Sequence, residues 1–167
     1  VRVADIPGLI DGAHANRGLG HGFLRHIERT AALCYVLDLA PTAPPPLEQL
    51  GMLRRELELY QPGLAAAPSR RAVIAANKAD LPGAPERLAE LRAGVTEMAA
   101  RGELPELLLP AERGGSHVTA ISALHAKNLP RLLGRLAAAV GEAKRAAERA
   151  AEELERGAAH RWEAAEE

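Results

Sequence analysis

Three short polar clusters in this chain each follow an apolar run, and each carries groups able to hold part of a nucleotide. The first is "NKAD", Asn77-Lys78-Ala79-Asp80, directly after the apolar run Ala72–Ala76. The Asp80 carboxylate can accept from both the ring N1–H and the exocyclic 2-amino group of guanine, a two-point pair that adenine does not offer. Asn77 can bond N7 and brace the neighbouring loops, and the aliphatic stem of Lys78 can cover one face of the base. Charge-assisted hydrogen bonds of this kind contribute about 1.5–3 kcal/mol each, enough to separate guanine from adenine. Alone, "NKAD" is also an ordinary turn into a helix. The second cluster, "ISAL", adds Ser122, Ala123 and Leu124. Its small side chains let a backbone N–H reach the guanine O6, which a bulky residue would obstruct. By itself it is a plain strand-to-loop junction, but in this order behind "NKAD" it points to one base-reading site.

The third cluster, "DIPGL", is Asp5-Ile6-Pro7-Gly8-Leu9 and supplies the phosphate side. Asp5 would contact Mg²⁺ through a water, and the Gly8 N–H would face a γ-phosphate. Many GTPases follow that glycine with a water-orienting glutamine, whereas this chain has Leu9. An aliphatic side chain cannot polarise water, so hydrolysis is expected to be slow or to use a group supplied from elsewhere, and no catalytic residue is assigned. No Gly-x-x-x-x-Gly-Lys-Ser/Thr loop occurs in these residues, including those after "ISAL".

Alternating elements must position these clusters. Val1–Ile6, "ALCYVLDL" (Ala32–Leu39), Ala72–Ala76 and "HVTAIS" read as strands, the second and third buried on both faces. Helical spacing is present around Phe23, Leu24 and Ile27, through Leu50, Leu53, Leu57 and Tyr60, and over Pro85–Ala100. A last amphipathic helix carries Leu129, Leu132, Leu133, Leu136 and Val140, with Asn128 as its cap and Pro130 in its first turn. Such alternation predicts βαβ units and a mostly parallel sheet, whose ligands sit at the carboxyl ends of the strands. All three clusters fall there. Beyond Val140 the composition turns to Ala, Glu, Arg and Lys, which divides the chain into 1–140 and a solvated helical tail, 141–167.

Composition narrows the function further. Hydrophobic residues make up 47% of the 167, sufficient for a core, and a net charge of −1 gives no global pull towards nucleic acid. Aromatic residues at 2% argue against base-stacking platforms. The single cysteine, Cys34, cannot form an internal disulfide. No apolar stretch approaches the length of a membrane span. His14, His21 and His26 lack metal-ligand spacing with a cysteine partner. The basic residues of Lys144–Arg149 are interrupted by glutamate, as on a solvated helix.

The segment "ADIPGLIDGAHANRGLGHGFLRHIERT" (Ala4–Thr30) resembles the second switch of the Obg family of ribosome-assembly GTPases, and "LELY", "NKADLP" and "ISAL" fall where that family has them. The resemblance covers about Val1 to Val140, with Asp11 standing where the family usually has glutamate. It implies an α/β, P-loop GTPase (G-domain) fold, here incomplete, with GTP or GDP and Mg²⁺ as cofactors. It also implies a role in maturation of the large ribosomal subunit, with rRNA and ribosomal proteins as partners. Arg25, His26 and Arg29 are then either a solvated face or an rRNA contact. A monomer with a mitochondrial address is expected, the nucleolus being the alternative. The stretch between "NKADLP" and "ISAL" is longer than in one mitochondrial branch of the family and more similar to a sister branch. In the family's sheet the phosphate-loop strand separates the "VRVADI" and "ALCYVLDL" strands, so Val1–Ile6 is expected to lack its neighbour. The chain alone is therefore expected to be inactive as an enzyme; the alternative is a non-switching module that binds a ribosomal or protein partner without hydrolysing GTP.

Overall fold

The computed structural model describes residues 2–5, 30–60, 71–105 and 116–163. Six elements follow one another: β1 (Ala32–Asp38), α1 (Pro46–Tyr60), β2 (Arg71–Asn77), α2 (Ala84–Ala100), β3 (Val118–Ala120) and α3 (Leu129–Glu163). The strands form a three-stranded parallel sheet in the order β1-β2-β3. This is the mostly parallel α/β sheet expected from the alternation of apolar runs and amphipathic segments, and it agrees with the partial P-loop GTPase fold that the resemblance implies.

Strand β2 shows why that alternation specifies the layers. Ala72, Ile74 and Ala76 enter a core shared with Leu50 and Leu57 of α1 and with Leu91 and Val95 of α2. Val73 and Ala75 enter the opposite core with Leu132, Leu136 and Ala139 of α3. A strand covered on both faces reads as a continuous apolar run, and β2 does.

Strand β1 departs from that expectation. Leu33, Tyr35 and Leu37 are buried against the α1–α2 layer, but Val36 on the other face is 53% exposed. Among the described residues α3 is the helix on that face, and its cluster meets β1 at Ala32 and Cys34. An edge strand reached by one helix is covered only where that helix crosses it.

The expected strand at the start of the chain is also corrected. Arg2–Asp5 is exposed and lies outside any strand, with Val3 70% exposed. A strand persists only through its ladder, and among the described residues β1's outer edge has no pairing partner for it to join. Val1, Ile6 and the helix expected around Phe23–Ile27 lie outside the described residues.

The helices end and pack for identifiable reasons. Gly83 (φ 78°) precedes α2 in the left-handed region, which carries no penalty without a Cβ. At the far end Gly102 (φ 71°) closes a Schellman motif: its N–H donates to Ala99 O at 3.0 Å, and the Glu103 N–H donates to Met98 O at 3.0 Å. Helix α3 runs unbroken through Val140–Gly141, packs as far as Ala143, and is exposed from Ala147 to Arg156. Asn128 does precede α3, but its side-chain amide donates to Ala120 O at 2.9 Å. The residue expected as a cap thus ties the helix start to the end of β3. Among the described residues no helix is long and apolar enough to cross a membrane.

Candidate functional site

The parallel register places Asp38 beside Asn77 and Ala76 beside Ala120, so the carboxyl ends of the strands open on one edge. Backbone bonds continue beyond the strands. Ile121 N–H donates to Ala76 O at 2.8 Å, and Ala79 N–H donates to Ile121 O at 3.0 Å. The "NKAD" and "ISAL" loops are therefore joined before any side chain is considered. Asn77 adds to this, its Oδ1 accepting the Ala123 N–H at 3.0 Å. The bracing expected of Asn77 is realised in this bond. It also engages one of the backbone N–H groups of the Ser-Ala pair that could reach guanine O6, so a base drawing on that group shares or displaces the contact. Lys78 adopts φ 63°, an uncommon conformation for a residue with a Cβ, and turns the chain between Asn77 and Asp80.

The Asp80 carboxyl lies below its ordinary value. The Ser122 hydroxyl is the main cause, followed by the residue's own backbone N–H and the charges of His125 and Lys127; together they outweigh burial. His125 Nε2 lies 3.6 Å from Asp80 Oδ2. Ser122 is itself 1% exposed and accepts the His125 N–H at 3.2 Å. An antiparallel bridge between Ser122 and Lys127 closes the loop, with N···O distances of 3.2 and 3.0 Å. The result is a charged acceptor fixed beside a backbone edge, the combination that guanine's N1–H and 2-amino group require. The structure therefore brings Asn77, Lys78, Ala79, Asp80, Ser122 and Ala123 together. Leu124, 84% exposed, projects to solvent.

Two residues that the sequence reading did not single out belong to this edge. Asp38, the last residue of β1, meets Lys78 Nζ through Oδ2 at 2.6 Å. Burial pushes the Asp38 carboxyl up, but the Lys78 hydrogen bond, the Ala40 N–H and the charges of Lys78 and Arg87 together bring it below its ordinary value. The available signal was positional, because Asp38 ends its apolar run as Asn77 ends the next one. His125 had no such signal, since its type and neighbours match those of any exposed loop histidine.

The phosphate side is not placed. Asp5 is exposed, and Ile6, Pro7, Gly8 and Leu9 lie outside the described residues, as do Asp11, His14, His21 and His26. Among the described residues no group of three or more His, Cys, Asp or Glu could hold a metal ion. Asp5 alone does not make a Mg²⁺ site.

No family model matches the chain. Individual relatives do. The chain is 61% identical over 97 residues to "Probable GTP-binding protein OBGM, mitochondrial" of Oryza sativa subsp. japonica, covering 55% of this chain and 18% of that protein. It is 44% identical over 133 residues to human "Mitochondrial ribosome-associated GTPase 2", covering 80% of this chain and 27% of the relative. It is 42% identical over 139 residues to "GTPase Obg" of Alkaliphilus oremlandii, covering 77% of this chain and 32% of the relative. The chain thus spans a third or less of the length of these relatives, 18% to 32%. Over the stretch that it shares with them, and in the fold of that stretch, the chain belongs to the Obg family of GTPases.

Proposed function

We propose that this chain is the guanine-reading portion of an Obg-type GTPase. One observation carries the reading: the Asn77–Ala123 bond joins the two loops into a single edge that carries Asp80 and the Ser122–Ala123 backbone together. GTP or GDP is the ligand. Beside a phosphate loop, Asp5 would hold Mg²⁺ through a water, and Ile6, Pro7, Gly8 and Leu9 would lie at the phosphates, as the family resemblance implies. A ribosomal partner is supported by the name of the human relative, with maturation of the large ribosomal subunit as the role that the family resemblance implies, and a mitochondrial address is supported by the names of the rice and human proteins. The interval between "NKADLP" and "ISAL" favours a likeness to GTP-binding protein 10 over mitochondrial ribosome-associated GTPase 2. Residues 1–140 do the work as a monomer, and 141–167 are an appended segment whose described part is solvated helix from Ala147 to Arg156.

A second reading rests on the sequence itself, which contains no Gly-x-x-x-x-Gly-Lys-Ser/Thr loop. On that reading these residues bind a ribosomal or protein partner without hydrolysing GTP. The deciding experiment uses a longer protein in which this segment accompanies a phosphate loop. Asp80→Asn replaces a two-point acceptor with a group that both donates and accepts, mismatching the 2-amino group of guanine. GTP binding is expected to weaken by about tenfold or more, one lost contact of this class, and selectivity to relax towards xanthine nucleotide. Titration with labelled GTP and XTP measures both, and an unchanged GTP affinity removes Asp80 from the site.

A further inference from the structure

We propose that Asp38 is the positioning residue for Lys78, and that it keeps the guanine-reading acid free of its neighbouring lysine; the inference rests on the guanine reading of Asn77–Asp80. Asp38 is fixed from several sides. Gln49 of α1 grips its main chain, accepting the Asp38 N–H on Oε1 at 2.8 Å and donating from Nε2 to Asp38 O at 2.8 Å. The same Nε2 donates to Pro44 O at 2.8 Å, and Arg87 of α2 donates to the carbonyls of Ala43 and Pro44. The Ala40 N–H occupies Oδ1 at 2.8 Å, which leaves Oδ2 for Lys78 Nζ at 2.6 Å. Two helices thus hold the main chain of Asp38 and of the loop after it, and the Ala40 N–H of that loop orients the carboxylate at the edge where the base would lie.

Two consequences follow from that fixed point. A lysine stem anchored at its ammonium is ordered along its length, so the platform for the ring is set before binding rather than during it. The second consequence concerns charge. Lys78 and Asp80 are two residues apart in one turn, and an unanchored ammonium there would pair with the Asp80 carboxylate. Asp38 takes that ammonium, and Asp80 is left to Ser122, His125 and the base. A role confined to stability is a poor account of the pair. The two side chains are 49% and 34% exposed, and ion pairs at that exposure contribute little to folding.

The test uses the 167-residue chain, ¹⁵N-labelled, titrated with 5′-GMP and 5′-AMP at millimolar concentration. The wild type is expected to show a slowly exchanging Lys78 ammonium signal, because its protons are held by Asp38. Asp38→Asn is expected to lose that signal and to weaken GMP about fivefold, the cost of ordering one long side chain on binding, with the urea midpoint nearly unchanged. Asp38→Glu is expected to restore part of both, and Asp38→Asn is expected to have no further effect in a Lys78→Met background. GMP affinity unchanged in Asp38→Asn, or lowered equally by Asp38→Asn in that background, overturns the proposal. If GMP and AMP perturb the wild type identically while the Lys78 signal is intact, the guanine reading itself fails and the proposal falls with it.

Discussion

The bond between Asn77 Oδ1 and the Ala123 N–H, 3.0 Å long, carries a prediction that separates bracing from base recognition. Asn77→Ala removes the acceptor, but Ala123 is exposed and water can replace it. The cost is therefore that of one neutral hydrogen bond, about 0.5–1.5 kcal/mol, rather than of a buried orphan donor. For a chain of this size a change of about 1 kcal/mol lowers Tm by about 2–4 °C. The two backbone bonds at Ala79 and Ile121 remain, so the loops stay joined but lose their outer tie. Amide exchange at Ala123 is expected to accelerate while exchange at Ile121 is not. GMP affinity is expected to fall about tenfold, since the tie and the N7 contact are lost together. Asn77→Asp is the control. It keeps an oxygen for Ala123 but cannot donate to N7, so it should retain Ala123 protection and still lose the base. That variant puts a second carboxylate beside Asp38 in the register, so the comparison belongs at about 1 M salt, where the screening length is about 3 Å. Unchanged Ala123 exchange in Asn77→Ala, or equal loss of protection in both variants, would refute the reasoning.

Other expectations follow from the same structure. Burial raises the Cys34 thiol from 9.0 to about 11, so at pH 8 the native protein should react with a disulfide reagent about a hundredfold more slowly than the urea-unfolded chain. Leu50 is fully buried in the α1–α2 core, and Leu50→Ala should cost about 2–5 kcal/mol by urea denaturation. Asp38 and Asp80 are both depressed below 3.8, so their contribution to stability is present above about pH 4 and is lost as pH falls through the lowered native values. The double variant Asp38→Asn/Asp80→Asn should remove only a small part of that acid limb, because these partly solvated carboxylates contribute little, and an unchanged limb would assign it wholly to other carboxylates. Calorimetric titration of this chain with GTP and Mg²⁺ should show no micromolar binding, because a phosphate loop's backbone donors and lysine are not among its residues; saturable micromolar binding would mean that another segment cradles the phosphates.

The legible parts of this fold were those decided by short stretches of chain. Ala72–Ala76 is apolar throughout because it is covered on both faces, and it stops at Asn77 because the sheet stops there. Helical spacing over Pro85–Ala100 located α2 to within one residue of its start at Ala84. Properties set by distant segments were not. "ALCYVLDL" has the same apolar character as β2, and nothing within it says that its neighbours leave Val36 open. The opening run has strand formers in Val1, Val3 and Ile6, but among the described residues Arg2–Asp5 has no ladder to join, a matter of pairing rather than propensity. Asp38 was passed over because its role exists only through the parallel register that sets it next to Asn77. Asn128 has a good capping side chain, yet the Ala120 carbonyl at the end of β3 competes for it.

The central claim is that the loops after β2 and β3 together read guanine, and a comparison of three nucleotides on one chain tests it most directly. The ¹⁵N-labelled 167-residue protein and its Asp80→Asn variant are titrated with 5′-GMP, 5′-AMP and 5′-XMP, following backbone amides. The account predicts that GMP moves the amides of Asn77–Asp80 and Ser122–Leu124 saturably at millimolar concentration. AMP should be weaker by about tenfold or more, the worth of one charge-assisted contact, and the Asp80→Asn variant should exchange its preference for GMP for one towards XMP. If AMP moved the same amides as strongly as GMP, or if GMP moved a different surface, these loops would not be a guanine site.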